Sequence, residues 1–140
     1  MNLHTVFIAA LLLFPALGLI NAVYFGLELR RFVARTARLE STLDMFRFKK
    51  VVANQMRAAL AQIGLLLAPI PIFILGVVLD ALDATDIMYV IAPALIIIVV
   101  AVVFRSWEQQ AKSIPAADPE LAEQRDAVVR TWMRKPLPDW

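Results

Sequence analysis

The sequence predicts an all-α integral membrane protein with three transmembrane helices, an outer N-terminus and a cytoplasmic C-terminus. Of its 140 residues, 61% are hydrophobic and 19% are charged. In a soluble domain, about 45–50% of residues are apolar and about 25% are charged. Three uncharged runs are long enough to cross a bilayer, and every basic residue lies in one of two segments. The absence of cysteine excludes disulfides, thiolate zinc sites and iron–sulfur clusters.

The uncharged runs cover residues 5–27, 58–79 and 87–104. As helices that rise about 1.5 Å per residue, they would extend about 35, 33 and 27 Å, against a hydrocarbon core of about 30 Å. Strands are excluded because lipid cannot satisfy an open sheet edge and the runs lack the alternation of barrel strands. The first run is too long for a cleaved signal peptide and lacks a basic leader, so we expect a retained helix.

The distribution of lysine and arginine predicts the orientation. All 14 basic residues lie between the first two runs or after the third, and none lies before the first run or between the second and third. Because basic residues are retained on the cytoplasmic side, the N-terminus and the loop with three aspartates are predicted outside. The predicted organisation is transmembrane helix 1 in residues 1–27, a basic cytoplasmic helical segment in 28–57, transmembrane helix 2 in 58–79, an acidic outer loop in 80–86, transmembrane helix 3 in 87–104 and a cytoplasmic tail in 105–140. The localisation that follows is a bacterial cytoplasmic (inner) membrane.

The cytoplasmic segment of residues 28–57 has the composition of a helical hairpin, since it contains neither proline nor glycine. The spacing predicts that the first helix continues to about Glu40 and that a second begins near Thr42, with Ser41 as N-cap and Asp44 in the first turn. One apolar stripe is predicted along the hairpin at Phe32, Leu39, Leu43 and Phe46. A helix lying on the membrane surface is the competing prediction.

The basic residues of this segment are candidates for binding anionic lipid or a partner protein. The alternative is that they only anchor the chain by the positive-inside rule. The candidates are Arg31, Arg35, Arg38, Lys49 and Lys50.

The C-terminal tail is predicted to contain a short helix over about residues 119–134. Asp118 is a suitable N-cap, and Pro119 fits the first helical position. Trp132 and Trp140 are large apolar side chains outside the runs. They are expected either to cover the cytoplasmic helices or to dock onto a partner.

Small residues are candidates for close helix packing. Gly18, Ala22 and Gly26 stand four apart on one face of the first run, and Gly64 and Ala68 form a shorter pair in the second. Such ridges let a second helix approach to backbone contact. The contact lies either within the chain or, as we favour, between subunits.

Asn21 and Gln62 are the strongly polar side chains of the runs, and both fall in their cytoplasmic halves, so a mutual hydrogen bond between them is feasible. Pro69 and Pro71 each lack an N–H and predict a kink in the second run between Leu65 and Pro71. We interpret these features as helix packing in preference to an ion site.

The sequence predicts no enzyme, no cofactor, no metal site and no nucleic-acid partner. No catalytic motif is present, and the runs contain no carboxylate, lysine, arginine or histidine for proton transfer. The leading hypothesis is a small membrane subunit that forms a homo-oligomer or serves as an accessory or scaffold component of a larger complex, in contact with lipids and other membrane subunits. The alternative is a subunit of an oligomeric ion channel or pore.

Overall fold

The chain is helical, as the sequence predicts. The computed structural model describes residues 2–140, of which 82% are helical and none forms a strand. The helices are α1 (Leu3–Arg35), α2 (Thr42–Leu67), α3 (Pro69–Val78), a short 3-10 helix (Ala84–Ile87), α4 (Met88–Lys112) and α5 (Pro119–Arg134).

Three helical stretches are long and apolar enough to cross a membrane. They are Leu3–Arg35, Thr42–Val78 and Ala84–Lys112. The prediction of an all-α chain with three membrane-length helices is therefore confirmed.

The chain divides into two compact units. The first, here called the apolar unit, comprises the residues up to Val23 and Ala61–Val102. The second, here called the polar unit, comprises Tyr24–Leu60 and Val103–Trp140. α1, α2 and α4 each contribute residues to both units. Each of these helices extends beyond its uncharged run.

The second uncharged run is interrupted at its proline pair. α2 ends at Leu67 and α3 begins at Pro69, with Ala68 between them at φ −57° and ψ −35°. Ala68 N still donates to Gly64 O at 2.9 Å. Pro69 and Pro71 have no N–H to continue the helix ladder, so the ladder breaks within the segment where the sequence predicts a kink. The backbone of Ala68 is itself helical, and the kink stays a prediction.

The first helix ends earlier than predicted. α1 stops at Arg35 rather than near Glu40, because the backbone of Leu39 bonds to another segment. Leu39 N donates to Pro115 O at 2.9 Å, and Ala117 N donates to Leu39 O at 2.8 Å. This single parallel bridge replaces the hydrogen bonds that a longer helix would form.

The polar unit has a core of its own, which corrects the predicted apolar stripe. Leu39 is buried, but Leu43 and Phe46 are 56% and 65% exposed. The stripe is wrong at these two positions because residues 36–41 are not helical, so a helical spacing does not extend from α1 into α2. The buried core residues are Leu39, Met45, Phe48, Val52, Met56, Ile114, Leu121 and Val128.

Side-chain caps fix the starts of two helices in the polar unit. Ser41 N donates to Asp44 Oδ2 at 3.1 Å, and Asp44 N donates to Ser41 Oγ at 3.2 Å. This reciprocal capping satisfies two backbone N–H groups at the start of α2. Asp118 Oδ1 accepts from Leu121 N at 2.8 Å, and α5 then runs over the span that the sequence predicts.

Candidate functional site

An amide–amide hydrogen bond links α1 to α2 inside the apolar unit. Asn21 Nδ2 donates to Gln62 Oε1 at 2.9 Å. A Cβ added at Gly18 would lie 2.8 Å from Gln62 Nε2 and 3.1 Å from Ile97 Cδ1. Gly18 therefore leaves the space that the Gln62 amide occupies, one helical turn from Asn21.

Gly26, at the other end of the predicted small-residue ridge, contacts an aromatic ring in the polar unit. A Cβ added there would lie 2.6 Å from ring carbons of Phe104. Gly18 and Gly26 are both buried by side chains of their own chain, and Ala22 between them is half-buried. These two glycines thus contact side chains of their own chain, whereas a contact between subunits was the favoured prediction.

The second pair of small residues is arranged differently. A Cβ added at Gly64 meets no atom of the described residues within 4 Å, and Gly64 is exposed. Ala68 is half-buried at the interruption between α2 and α3. The face of α2 at Gly64 is consequently left uncovered by the part of the chain that the structure describes.

A groove of about 980 Å³ lies in the polar unit between the end of α1 and the start of α2. We call it the basic groove, since five of its lining residues are basic and three are acidic. Its lining residues are Tyr24, Leu27, Glu28, Arg31, Phe32, Arg35, Thr36, Ala37, Arg38, Glu40, Asp44, Arg47, Lys50 and Val51.

Four of the five predicted lipid or partner contacts line the basic groove. They are Arg31, Arg35, Arg38 and Lys50, whereas Lys49 is half-buried and does not line it. Glu28 and Arg47 also line the groove and were not among the predicted contacts. Arg47 could have been found from its spacing, because it lies one turn before Lys50 and Val51 on α2.

Two of the three acidic residues in the groove already accept hydrogen bonds. Glu28 Oε1 accepts from Asn54 Nδ2 at 2.9 Å. Asp44 Oδ2 accepts from Ser41 Oγ at 2.9 Å and from Glu40 N at 3.2 Å. These hydrogen bonds, chiefly that from the Ser41 hydroxyl, and the charge of nearby Arg47 lower the pKa of Asp44 below its usual value.

The basic side chains of the groove form few hydrogen bonds or ion pairs within the described residues. Arg38 Nη2 donates to Ala117 O at 3.1 Å. Within residues 2–140, no carboxylate lies within ion-pair distance of Arg31, Arg35, Arg47 or Lys50. The groove therefore carries an excess of positive charge, because its five basic residues outnumber its three acidic ones.

The two tryptophans predicted for docking have different surroundings. Trp132 is half-buried and packs against the core of the polar unit, and Lys112 Nζ lies 4.9 Å from its ring centroid. Trp132 thus covers the helices of its own unit. Trp140 is 44% exposed.

Among the described residues, no group of three or more histidine, aspartate or glutamate side chains is placed to hold a metal ion. Comparison of the chain with known protein families, curated proteins and solved structures finds no match.

Proposed function

We propose that this chain is a small, non-catalytic membrane subunit that assembles through its polar unit. It forms either a homo-oligomer or an accessory, scaffolding part of a larger membrane complex. In this proposal the polar unit is cytoplasmic and the membrane is a bacterial inner membrane, as the segregation of the basic residues favours.

The observation that carries the proposal is a pair of exposed apolar side chains far from the uncharged run. Leu43 and Phe46 are 56% and 65% exposed, and their spacing puts them on one face of α2. The uncharged run starts at Ala58, and Phe46 lies about 18 Å from Ala58 along the helix. A headgroup layer is only about 5–8 Å deep, so lipid does not reach Phe46 along a helix normal to the membrane.

Covering these side chains would stabilise an assembly. Full burial of one large apolar side chain contributes about 1.5–3 kcal/mol. Further exposed apolar side chains lie near the C-terminus of the same unit, at Met133, Leu137 and Trp140. The polar unit thus offers more than one apolar surface to a partner.

The apolar helices also have surface to share with other subunits. Only 22%, 11% and 6% of the most apolar stretches of Leu3–Arg35, Thr42–Val78 and Ala84–Lys112 are buried within the chain. The rest is available to lipid or to other transmembrane helices.

The pore alternative is less well supported by the polar side chains of the spans. A lumen requires polar groups that face it. Asn21 and Gln62 bond to each other, which supports a role in helix packing.

The test is the mass of the assembly in mild detergent for the variant with Leu43→Ser and Phe46→Ser. We expect the wild-type chain to migrate as a particle of several chains or to co-purify with other subunits. The double variant should lose those partners and keep its helical content, because both side chains lie outside the core of the polar unit.

The matched control is Phe46→Leu with Leu43→Met, which keeps both positions apolar and should retain the wild-type mass. A serine double variant with the wild-type mass and composition would contradict the proposed surface. A wild-type chain that is monomeric without partners would contradict the function itself.

A further inference from the structure

The basic groove begins where the uncharged run of α1 ends. Tyr24 and Leu27 line one end of it, and Leu27 is the last residue of the run. Tyr24 is 65% exposed, as is common for a tyrosine at the boundary between hydrocarbon and headgroups. The groove therefore starts at the depth at which lipid headgroups lie.

Basic residues follow at headgroup depth and beyond. Arg31 is four residues past Leu27, which corresponds to about 6 Å along the helix, and the headgroup layer is about 5–8 Å deep. Arg35 is one turn further on α1, and Lys50 lines the groove from α2. All three line the same groove, and long basic side chains extend toward the interface, so we expect their charged groups to lie near the headgroup layer.

We propose that the basic groove binds the phosphate headgroup of an anionic phospholipid. Its free cations supply the charge-assisted hydrogen bonds that a phosphate diester accepts. Its volume of about 980 Å³ is at the upper end of the range of small-molecule sites, which is about 300–1,000 Å³.

The acidic residues of the groove stay charged, but its five basic residues outnumber its three acidic ones. Asp44 is held by the N-cap of α2, and Glu28 shares a hydrogen bond with Asn54. Glu40 lies next to the cap of α2. Among the lining residues that come before α2, it is the furthest from Leu27 along the chain. The phosphate is accordingly placed near Arg31, Arg35 and Lys50.

Lipid is favoured over a soluble anion because of the apolar end of the groove. A free phosphate would use the basic side chains alone. A phospholipid uses them too, and its glycerol and upper acyl chain lie along Tyr24 and Leu27, at the end of the run. Binding to this groove requires no partner subunit, so it is independent of the proposed assembly.

The test is native mass spectrometry of the full chain titrated with phosphatidylglycerol, phosphatidylcholine or inorganic phosphate. The groove variant is Arg31→Gln with Lys50→Gln. The control is Lys49→Gln with Arg57→Gln, which removes the same charge from two residues of α2 outside the groove lining. Arg35→Gln is a second groove variant if the first does not yield folded protein.

We expect the wild-type chain to retain phosphatidylglycerol in preference to phosphatidylcholine. The groove variant should lose affinity by about tenfold or more, and the control should change much less. Equal losses in both variants would overturn the site, since they would reflect overall charge alone. Equal binding of the two lipids, or displacement of phosphatidylglycerol by an equal concentration of inorganic phosphate, would also overturn the proposal.

Discussion

Asn21 donates a hydrogen bond of 2.9 Å to Gln62. The bond depends on Gly18, because a side chain there would meet the nitrogen of the same Gln62 amide. In lipid, close packing and interhelical hydrogen bonds hold helices together, since the tails are as apolar as leucine. One glycine thus permits both kinds of interaction.

Gly18→Ala is expected to destabilise the apolar unit by about 1–2 kcal/mol. The added methyl must displace the Gln62 amide and so weakens its bond to Asn21. Reversible unfolding in mixed detergent micelles measures the loss. Gly64→Ala is the matched control and should be neutral or stabilising, because its added Cβ meets open space.

A double variant tests whether Gly18 acts through the hydrogen bond. Asn21→Leu alone should cost about 0.6–2 kcal/mol. Combined with Gly18→Ala, it should cost less than the sum of the two single changes, since each removes part of the same interaction. Strict additivity would show that Gly18 and Asn21 act separately.

Much of this arrangement could be predicted from the sequence. The rest depended on contacts between segments that are distant in sequence. The three membrane-length helices, the cap at Ser41 and the start of α5 follow from local patterns that act within a few residues. Leu43 and Phe46 were misplaced because the bridge between Leu39 and Ala116 ends α1 early. That bridge joins segments distant in sequence, so no local pattern indicates it.

The basic groove was predictable only in part. Arg31 and Arg35 were identified from their charge and spacing, and the spacing of Arg47 to Lys50 could have indicated it too. The pairing of α1 with α2, which forms the groove, has no such local signal. The same limit applies to Gly18 and Gly26. Their spacing predicts a close contact, but the contacting side chains of Gln62 and Phe104 come from other helices.

The cap of α2 makes the stability of the polar unit dependent on pH. The pKa of Asp44 is lowered in the folded chain, mainly by the hydrogen bond from the Ser41 hydroxyl. Its carboxylate therefore stabilises the fold above the unfolded pKa of about 4, and this contribution is lost as the pH falls through the lower, folded pKa. Asp44→Asn should destabilise α2 at pH 7, and its deficit relative to the wild type should shrink toward pH 3.

Thermal unfolding followed by circular dichroism between pH 3 and pH 7 measures this change. Glu123→Gln serves as the control in the same unit, because Glu123 is exposed and forms no ion pair among the described residues. A deficit of Asp44→Asn that is the same at every pH would mean that the charge of Asp44 has no role in the cap.

Asp80 has a backbone conformation that favours glycine. Its φ is +53°, in the left-handed region, just after the end of α3. Asp80→Gly should raise stability by up to about 1 kcal/mol, and Asp80→Val should lower it by about 1–2 kcal/mol. Asp83 has a φ of −95° and is the N-cap of the 3-10 helix. Asp83→Gly should therefore lower stability in the same thermal unfolding experiment, in contrast to Asp80→Gly.

The proposed orientation can be tested cleanly because the chain has no cysteine. Asp83→Cys should react with a membrane-impermeant maleimide in intact cells. Lys49→Cys should react only after the membrane is permeabilised, because the segment with eight basic residues is predicted to be cytoplasmic. Labelling of position 49 in intact cells would reverse the assignment.

The most direct test of the proposed function is the mass and composition of the particle extracted from native membranes in mild detergent. A single chain has a mass of 15.7 kDa. We predict a particle with two or more copies of the chain, or one copy bound to other membrane subunits in fixed ratio. A particle of one chain with only lipid bound would contradict the account.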